Sequence, residues 1–152
     1  MTELTKRIVV FILSMCPVIE LRGAIPLGLE WGLGFRETML LSLGGNLLII
    51  PFIVLLFNKV LWLLRKIKIT EKLADILERR AEKNSAKIEN LMFIGLMLFV
   101  AIPLPGTGAW TASMVAGLMK IKLHKAIIPI ALGVVIAAAI VTAVYYGFKI
   151  II

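Results

Sequence analysis

Apolar residues in this chain occur in runs of two lengths, and these lengths decide what the chain can fold into. The runs Thr38–Phe57 and Ala126–Phe148 carry no charge, and each reaches the roughly 20 residues that a helix needs to cross a bilayer. Four other runs are about a dozen residues long, which gives roughly 18 Å of helix, or half a bilayer. They are Ile8–Ile19, Ala24–Phe35, Leu91–Ile102 and Ala109–Met119.

The composition agrees with a membrane protein. Of the 152 residues 61% are hydrophobic, whereas soluble domains hold about 45–50%. The excess must face lipid, so we expect one integral membrane domain with no room for a second domain. Its predicted parts are a first repeat over 1–58, a basic connector over 59–90 and a second repeat over 91–152.

The two repeats are predicted from the order of the runs, which is the same in both halves. Each half has a short run, a break, a second short run, a charged turn and a full-length run. Placing Leu21–Ala24 on Leu104–Thr107 brings Gly34 onto Gly117, and an insertion of about five residues then aligns Gly45 with Gly133. The sequence therefore predicts an all-α membrane fold of two inverted repeats.

Two topologies are compatible with this pattern. If each broken pair of runs is a re-entrant hairpin, each repeat crosses the membrane once and the second repeat is inverted. Both basic groups then share one face, which the positive-inside rule makes cytoplasmic. Lys6, Arg7, Arg36 and Lys149 lie on the other face. If each broken pair is instead one kinked span, the connector and the N-terminus are both cytoplasmic. We favour the re-entrant arrangement.

The connector is predicted to be a cytoplasmic amphipathic helix. Most basic residues of this +8 chain lie between Lys59 and Lys87, beside apolar runs, which is typical of contact with anionic lipid rather than with nucleic acid. Thr70 can cap a helix that begins at Glu71. The apolar stripe of that helix is Leu73, Ile76, Leu77 and Ala81.

The first break carries two charges at a depth where each costs several kcal/mol unless it is satisfied. A half-helix that ends before Glu20 presents carbonyl groups there, so Arg22 suits this position and Glu20 does not. Glu20 must then pair with an arginine or take up a proton. A Glu20–Arg22 pair needs an unwound tip or a neighbouring subunit. Gly23 is expected to allow close helix packing, and a new half-helix is expected to begin past Ala24 or Pro26.

The second break, PLPGTG, carries no charge. Its prolines stop the helix, its glycines allow close approach, and Thr107 can cap the helix that follows. Asn46, in the first long run, is either a contact between helices or a site residue. The predicted substrate- or ion-binding residues are Glu20, Arg22, Gly23, Pro26, Asn46, Pro103, Pro105, Gly106, Thr107, Gly108, Trp110 and Thr111.

No catalytic motif is present. The sequence has no Ser/His/Asp set, no HExxH, no phosphate-binding GxxxxGK loop and a single cysteine, Cys16. We therefore expect neither an enzyme nor a cofactor or metal site. Four crossings at most cannot enclose a pathway, which favours a homodimer in contact with membrane lipid.

The motifs ELRGAIPLG and PLPGTGAWTAS, with a basic connector between them and IALGVVIAAAIV after them, resemble the small multidrug export protein family of prokaryotic inner membranes. The resemblance covers nearly the whole chain and implies drug efflux. A more distant likeness is to the DedA superfamily, which is implicated in flipping lipids and has an acidic residue in its first re-entrant hairpin and arginines in its second. Glu20 matches the first feature, but PLPGTGAWTAS has no arginine.

These observations predict a small transporter or lipid flippase in which Glu20 couples to protons and Arg22 binds an anion. The backbone N–H groups of Gly106–Gly108 would help to bind the substrate. An arginine and two helix N-termini favour an anionic or phosphate-bearing amphiphile. The alternatives are an efflux transporter for cationic drugs and a non-transporting scaffold held by a structural Glu20–Arg22 ion pair.

Overall fold

The computed structural model describes residues 2–64, 85–104 and 106–151, without the side chains of 61–64 and 85–89. This part of the chain forms six α-helices. They are α1 (Glu3–Met15), α2 (Glu20–Glu30), α3 (Phe35–Leu64), α4 (Ser85–Ala101), α5 (Ala109–Leu118) and α6 (Leu123–Ile151). The expected helix at Glu71, its Thr70 cap and its apolar stripe lie outside the described residues.

Two of these helices are long and apolar enough to cross a membrane. Their apolar stretches are Phe35–Val60 in α3 and Leu123–Ile151 in α6, and they contain the two spans predicted from the sequence. Pro51 and Pro129 lie inside these helices without ending them. Between a third and a half of the most apolar window of each helix is buried in the protein, so much of each surface is left to face lipid.

The first break lies earlier in the chain than the sequence analysis predicted. Helix α1 ends at Met15, and Cys16 is extended at ψ 138°, because the ring of Pro17 excludes helical backbone at the residue before it. Helix α2 then begins at Glu20 and runs through Pro26 to Glu30. The predictions that α1 continues to Ile19 and that a new half-helix begins past Ala24 were wrong. Glu20 and Arg22 lie in the first turn of α2.

Ion pairs and hydrogen bonds join the helix ends at one face of the molecule. Arg7, near the start of α1, pairs with Glu37 at the start of α3 at 2.5 Å. Glu30, at the end of α2, accepts a hydrogen bond from the Tyr145 hydroxyl at 2.5 Å and lies 3.6 Å from Lys149 near the end of α6. Helices α1 and α2 therefore leave and return to the same face, which we call the terminal face.

Helices α4, α5 and α6 come together at another face of the molecule. Asn90 of α4 lines one cavity with His124 and Lys125 at the start of α6. Helix α5 ends beside the second half of α3, since a Cβ on Gly117 would lie 2.9 Å from the Val54 carbonyl oxygen. We call this the connector face, because the connector follows α3 and precedes α4 in the chain.

The core lies where α3 and α6 pack against α2, α4 and α5. Two glycines on the long helices allow the closest crossings. A Cβ on Gly45 would lie 2.5 Å from the Phe11 carbonyl oxygen of α1, and a Cβ on Gly133 would lie 2.5 Å from the Met97 carbonyl oxygen of α4. No side chain fits at such distances, so the backbone of α3 touches α1 at Gly45 and the backbone of α6 touches α4 at Gly133.

Both short helices α2 and α5 end in a Schellman motif. Gly32 (φ 82°) and Lys120 (φ 54°) take the left-handed position. The next residue in each case, Leu33 or Ile121, donates its N–H to a carbonyl five residues back. Gly32 matches Lys120 at an offset of 88 residues, and Gly45 matches Gly133 at the same offset. The predicted alignment of Leu21–Ala24 with Leu104–Thr107 was wrong, since Leu21–Ala24 is helical whereas Leu104 and Thr107 precede α5; the predicted match of Gly45 with Gly133 has the offset of 88.

Candidate functional site

The two breaks meet inside the protein, and Glu20 caps α5, a helix in the second half of the chain. Its carboxylate accepts a hydrogen bond from the Trp110 N–H at 3.1 Å and also interacts with the Ala109 N–H. These are the first two N–H groups of α5, whose N-cap, Gly108, offers no side-chain bond. A carboxylate at a helix N-terminus is favoured by both the free N–H groups and the helix dipole. Glu20 is thus well placed, at the N-terminus of α5.

Glu20 reaches this position with strained backbone. Its φ is 48°, a left-handed conformation that costs a side-chain-bearing residue about 1–2 kcal/mol. The residue is 5% exposed, and its carboxylate lies directly against Gly108. The strain indicates that the position of the carboxylate is fixed by the surrounding structure.

Arg22 caps the opposite kind of helix end. Its Nη1 donates to the Leu104 carbonyl at 2.6 Å, and its Nη2 lies 3.2 Å from the Ile102 carbonyl and 3.3 Å from the Val100 carbonyl. These carbonyls close α4 and begin the second break. A guanidinium offers five donors in a plane, so a single side chain satisfies the exposed C-terminal end of α4. Arg22 therefore stabilises the C-terminus of α4, whereas the sequence analysis assigned it to the end of α1.

Glu20 and Arg22 form no salt bridge with each other in the described chain. Both side chains start from one turn of α2, but they diverge to the N-terminus of α5 and the C-terminus of α4. Each therefore finds an oppositely charged helix end, which satisfies a buried charge without pairing the two. An ion pair of these residues between two copies of the chain stays a prediction.

Two further side chains complete the site where the two breaks meet, which we call the junction. The Trp110 indole N–H donates to the Met15 carbonyl at 2.8 Å, which closes the C-terminus of α1. The Thr107 hydroxyl lies 3.1 Å from Arg22 Nη2 and contacts the Ile102 and Leu104 carbonyls at 2.8 Å. The prediction that Thr107 is the N-cap of α5 was wrong, because the hydroxyl turns back into the break and leaves that role to Glu20.

An open groove lies beside Arg22 between α2, the second break and α6. Its volume is about 390 Å³, and it is lined by Arg22, Pro26, Pro103, Val141, Val144, Tyr145 and Phe148. A second cavity continues from Tyr145 and Phe148 to Glu30 and Lys149 on the terminal face. There the Tyr145 hydrogen bond, followed by the charge of Lys149, lowers the pKa of the Glu30 carboxyl. The groove is apolar along its walls and cationic at Arg22.

The remaining predicted residues divide between the junction, the groove and other places. Gly106 (φ 82°) is exposed in the second break, and Thr111 is half-buried in the first turn of α5. Among the described residues, a Cβ on Gly23 would meet only Ile19 of its own segment, so Gly23 does not allow the close approach of another described helix, contrary to the prediction. Asn46 is fully buried. Pro105 lies outside the described residues.

Sequence reasoning missed the groove wall on α6 and a set of buried hydroxyl groups. Val141, Val144 and Phe148 carried no signal, because they are ordinary apolar residues of a membrane helix. Thr38 and Ser42, by contrast, precede Asn46 at intervals of four residues, and this spacing could have marked one polar helix face.

The contact between Gly108 and Glu20 gives a first prediction. In Gly108→Ala, the new Cβ would lie 2.7 Å from the Glu20 Cδ on a backbone with φ 142°. We expect the free energy of unfolding in detergent to fall by about 3 kcal/mol or more, from overpacking and strain together. Gly106→Ala is the matched control. It has φ 82° but no atom within 4 Å of the added Cβ, and we expect a loss of about 1 kcal/mol. Equal losses would show that the Glu20 contact contributes nothing.

The fold and the junction of the two breaks together define a class of protein. Two long apolar helices, packed around half-length helices whose ends cap one another, describe a small helical membrane protein.

Comparison with known families identifies the group within that class. The model of the family described as "Putative small multi-drug export protein" matches residues 20–140, and the chain belongs to this family. The predicted resemblance is thereby confirmed, and the chain is a small multidrug-export membrane protein, a transporter in the general sense. The likeness to the DedA superfamily stays a prediction. No curated protein and no solved structure shows a significant match.

Proposed function

We propose that this protein transports an anionic, phosphate-bearing amphiphile, a lipid or a small molecule, across the prokaryotic cell membrane. The observation that carries the proposal is the groove, in which apolar walls from α2 and α6 lead to the Arg22 guanidinium. Apolar walls suit an acyl or prenyl chain, and a guanidinium suits a phosphate. Within the described residues, the Arg22 Nε–H is not used by the α4 carbonyls and is left for a ligand.

Two inverted repeats with re-entrant hairpins fit the positions of the helix ends. The Arg7–Glu37 pair supports a first hairpin that enters and leaves at the terminal face, because a kinked span would separate the starts of α1 and α3 by a bilayer. The cavity shared by Asn90 and His124 supports the same reading for the second hairpin. The common offset of 88 residues and the matched Gly45 and Gly133 crossings support the repeat. Such breaks at corresponding positions are typical of transporter binding sites.

Glu20 is proposed to link transport to protons. As a carboxylate it occupies the N-terminus of α5, which is an anion site by its free N–H groups and dipole. A proton taken from the aqueous phase would neutralise Glu20 and weaken this contact. The same N–H groups, with those of Gly106 and Gly108, could then bind the substrate phosphate, whereas the Thr107 N–H is already donated to the Leu104 carbonyl. One proton and one anionic group would thus move through the junction together.

The orientation follows from charge. Lys122 and Lys125 lie at the start of α6, and the sequence holds most of the other basic residues between α3 and α4, so the positive-inside rule makes the connector face cytoplasmic and the terminal face external. Anionic lipid is expected at the connector. A homodimer is proposed because a single copy leaves the groove open to lipid.

Labelling of residue 36 tests the orientation. In a chain with Arg36→Cys and Cys16→Ala, a membrane-impermeant thiol reagent should label residue 36 from outside the cell. Labelling only after the inner side is exposed would contradict the re-entrant topology.

Transport of cationic drugs is the second candidate, because the family description names multidrug export and the Glu20 carboxylate could bind a cation. Reconstituted liposomes separate the two. We expect uptake of labelled polyprenyl phosphate and none of a cationic dye; the reverse result would overturn the proposed substrate class and favour drug efflux. A protein that moves neither compound would fit the scaffold hypothesis.

A groove variant with a matched control sharpens this test. Val144→Trp should block the groove and reduce phosphate-lipid uptake by about tenfold or more, by removing contacts worth over 1.4 kcal/mol. Val135 lies on the same helix outside the groove and is also 50% exposed, so Val135→Trp should leave uptake unchanged. Equal effects of the two variants would show that the groove does not bind the substrate.

A further inference from the structure

Among the residues that the structure describes, a row of buried polar side chains on α3 has no hydrogen-bond partner. The polar stripe consists of Thr38, Ser42 and Asn46, each 0% exposed. The Thr38 Oγ1, the Ser42 Oγ and both polar atoms of the Asn46 amide are unpaired there. Unpaired buried groups destabilise a fold, and a native protein rarely keeps several of them without water or an ion.

The residues of the polar stripe are four apart, so they share one face of α3 and are separated by about 6 Å along the helix. A water that makes two hydrogen bonds of about 2.8–3.0 Å can bridge polar atoms of neighbouring side chains that lean towards each other. Two waters would therefore join Thr38 to Asn46 through Ser42. The spacing is that of a hydrogen-bonded chain.

The polar stripe extends towards Glu20, because α3 packs against α2. Thr38 lies against Gly28 of α2, where a Cβ would come within 2.7 Å of the Thr38 Cγ2. Helices α2 and α3 are joined by residues 31–34 and run antiparallel. Eight residues forward along α3 and eight back along α2 each cover about 12 Å, so Asn46 lies level with Glu20.

The second repeat indicates that the fold does not need this stripe. At the offset of 88 residues its members correspond to Ala126, Ile130 and Val134 of α6, which are apolar and also 0% exposed. The same position in the fold is thus packed without polar atoms. Polar residues in the first repeat alone point to a role other than packing.

Another hydroxyl without a partner among the described residues lies in the helix that Glu20 caps. Ser113 is 0% exposed and lies one turn into α5.

We propose that the polar stripe holds a chain of ordered water that carries protons between the terminal face and Glu20. The outer end, at Thr38, adjoins the Arg7–Glu37 pair on that face. Each water and each hydroxyl of the stripe accepts one proton and donates another, and the Asn46 amide holds the last water next to Glu20, so that one proton leaves the aqueous phase and one oxygen of the Glu20 carboxylate gains it. The transport role of this chain rests on the proposed function, whereas the water itself does not.

Water-edited solid-state NMR of the protein in lipid bilayers tests the water chain directly. Polarisation from water should reach the Asn46 side chain at the rate seen for exposed residues. Ile50, one turn further along α3 and also 0% exposed, is the dry control. Transfer to Asn46 as slow as transfer to Ile50 would overturn the proposal.

Transport assays of variants test whether the water chain carries protons. Ser42→Ala and Asn46→Val should slow proton-driven uptake about tenfold, since losing one hydrogen bond of the chain costs about 1–1.5 kcal/mol. The Tm should stay within about 4 °C of the wild type or rise. Ser14→Ala is the matched control, because Ser14 is equally buried but bonds the Phe11 carbonyl of its own helix at 2.6 Å. Its uptake should not change.

The outcomes separate this inference from the proposed function. If the wild type shows no proton-driven uptake, the proposed coupling fails, and the NMR result alone decides whether water is present. If Asn46 is hydrated and coupling is intact but Ser42→Ala and Asn46→Val transport at the wild-type rate, the proton path is wrong. A large fall in Tm in both variants would also overturn it, by showing a direct structural bond.

Discussion

Replacing Arg22 with methionine is expected to destabilise the protein by about 4 kcal/mol or more. Hydrogen bonds from a charged donor contribute about 1.5–3 kcal/mol each, and an acceptor left unpaired costs about 1–3 kcal/mol. Arg22 bonds carbonyls of three residues and the Thr107 hydroxyl. Methionine keeps the apolar stem and loses every donor. The measurement is equilibrium unfolding of the purified protein in mixed detergent micelles.

Arg36→Met is the matched control for this prediction. Arg36 is exposed at the start of α3, and surface substitutions usually change stability by less than about 0.5 kcal/mol. Arg22→Lys should fall between the two, because an ammonium cannot present a planar fork to several acceptors. A loss below about 1 kcal/mol in Arg22→Met would show that the α4 carbonyls are satisfied without Arg22.

Exchanging the two charges of the first break should not rescue the single variants. In the double variant Glu20→Arg and Arg22→Glu, a guanidinium would face the N–H groups of α5 and a carboxylate would face the carbonyls at the end of α4. Both contacts become repulsive, since each helix end now meets a charge of its own sign. We expect the double variant to lose at least as much stability as the worse single variant, about 4 kcal/mol or more.

The scaffold hypothesis predicts the opposite result. In a direct Glu20–Arg22 pair, within or between copies, the exchange preserves the attraction, and a double-mutant cycle would show a favourable coupling energy. Recovery of assembly and of stability in the double variant would therefore contradict mutual capping of the helix ends. The neutral pair Glu20→Gln with Arg22→Met completes the cycle by separating the loss of charge from its reversal.

The length and charge of the apolar runs were enough to predict the long helices and the half-length helices. Length decides whether a helix spans a bilayer, and this is a local property. The prediction placed the first break four residues too late, because it used Glu20 as the end of the apolar run. Pro17 ends α1 through its effect on Cys16. Proline chemistry is readable from sequence, so this error was avoidable.

The partners of the two charges could not have been predicted from local sequence. Glu20 caps α5 about 90 residues away, and Arg22 closes α4 about 80 residues away. These contacts depend on how the two halves of the chain pack together. The sequence near Glu20 indicates only that its charge needs a partner. The alignment of Leu21–Ala24 with Leu104–Thr107 was wrong for a related reason. It relied on similar residues at the two breaks, where one segment is helical and the other is not.

The central claim is that Glu20 couples proton movement to transport at the junction of the two breaks. Glu20→Gln keeps an oxygen that can accept the Trp110 N–H bond, so the variant should fold and assemble, but it cannot take up a proton. The direct measurement is uptake of labelled polyprenyl phosphate into proteoliposomes, with and without an imposed proton gradient. If Glu20 carries the coupled proton, the variant retains uptake down the substrate gradient and loses all stimulation by the proton gradient. Full stimulation in Glu20→Gln would contradict it.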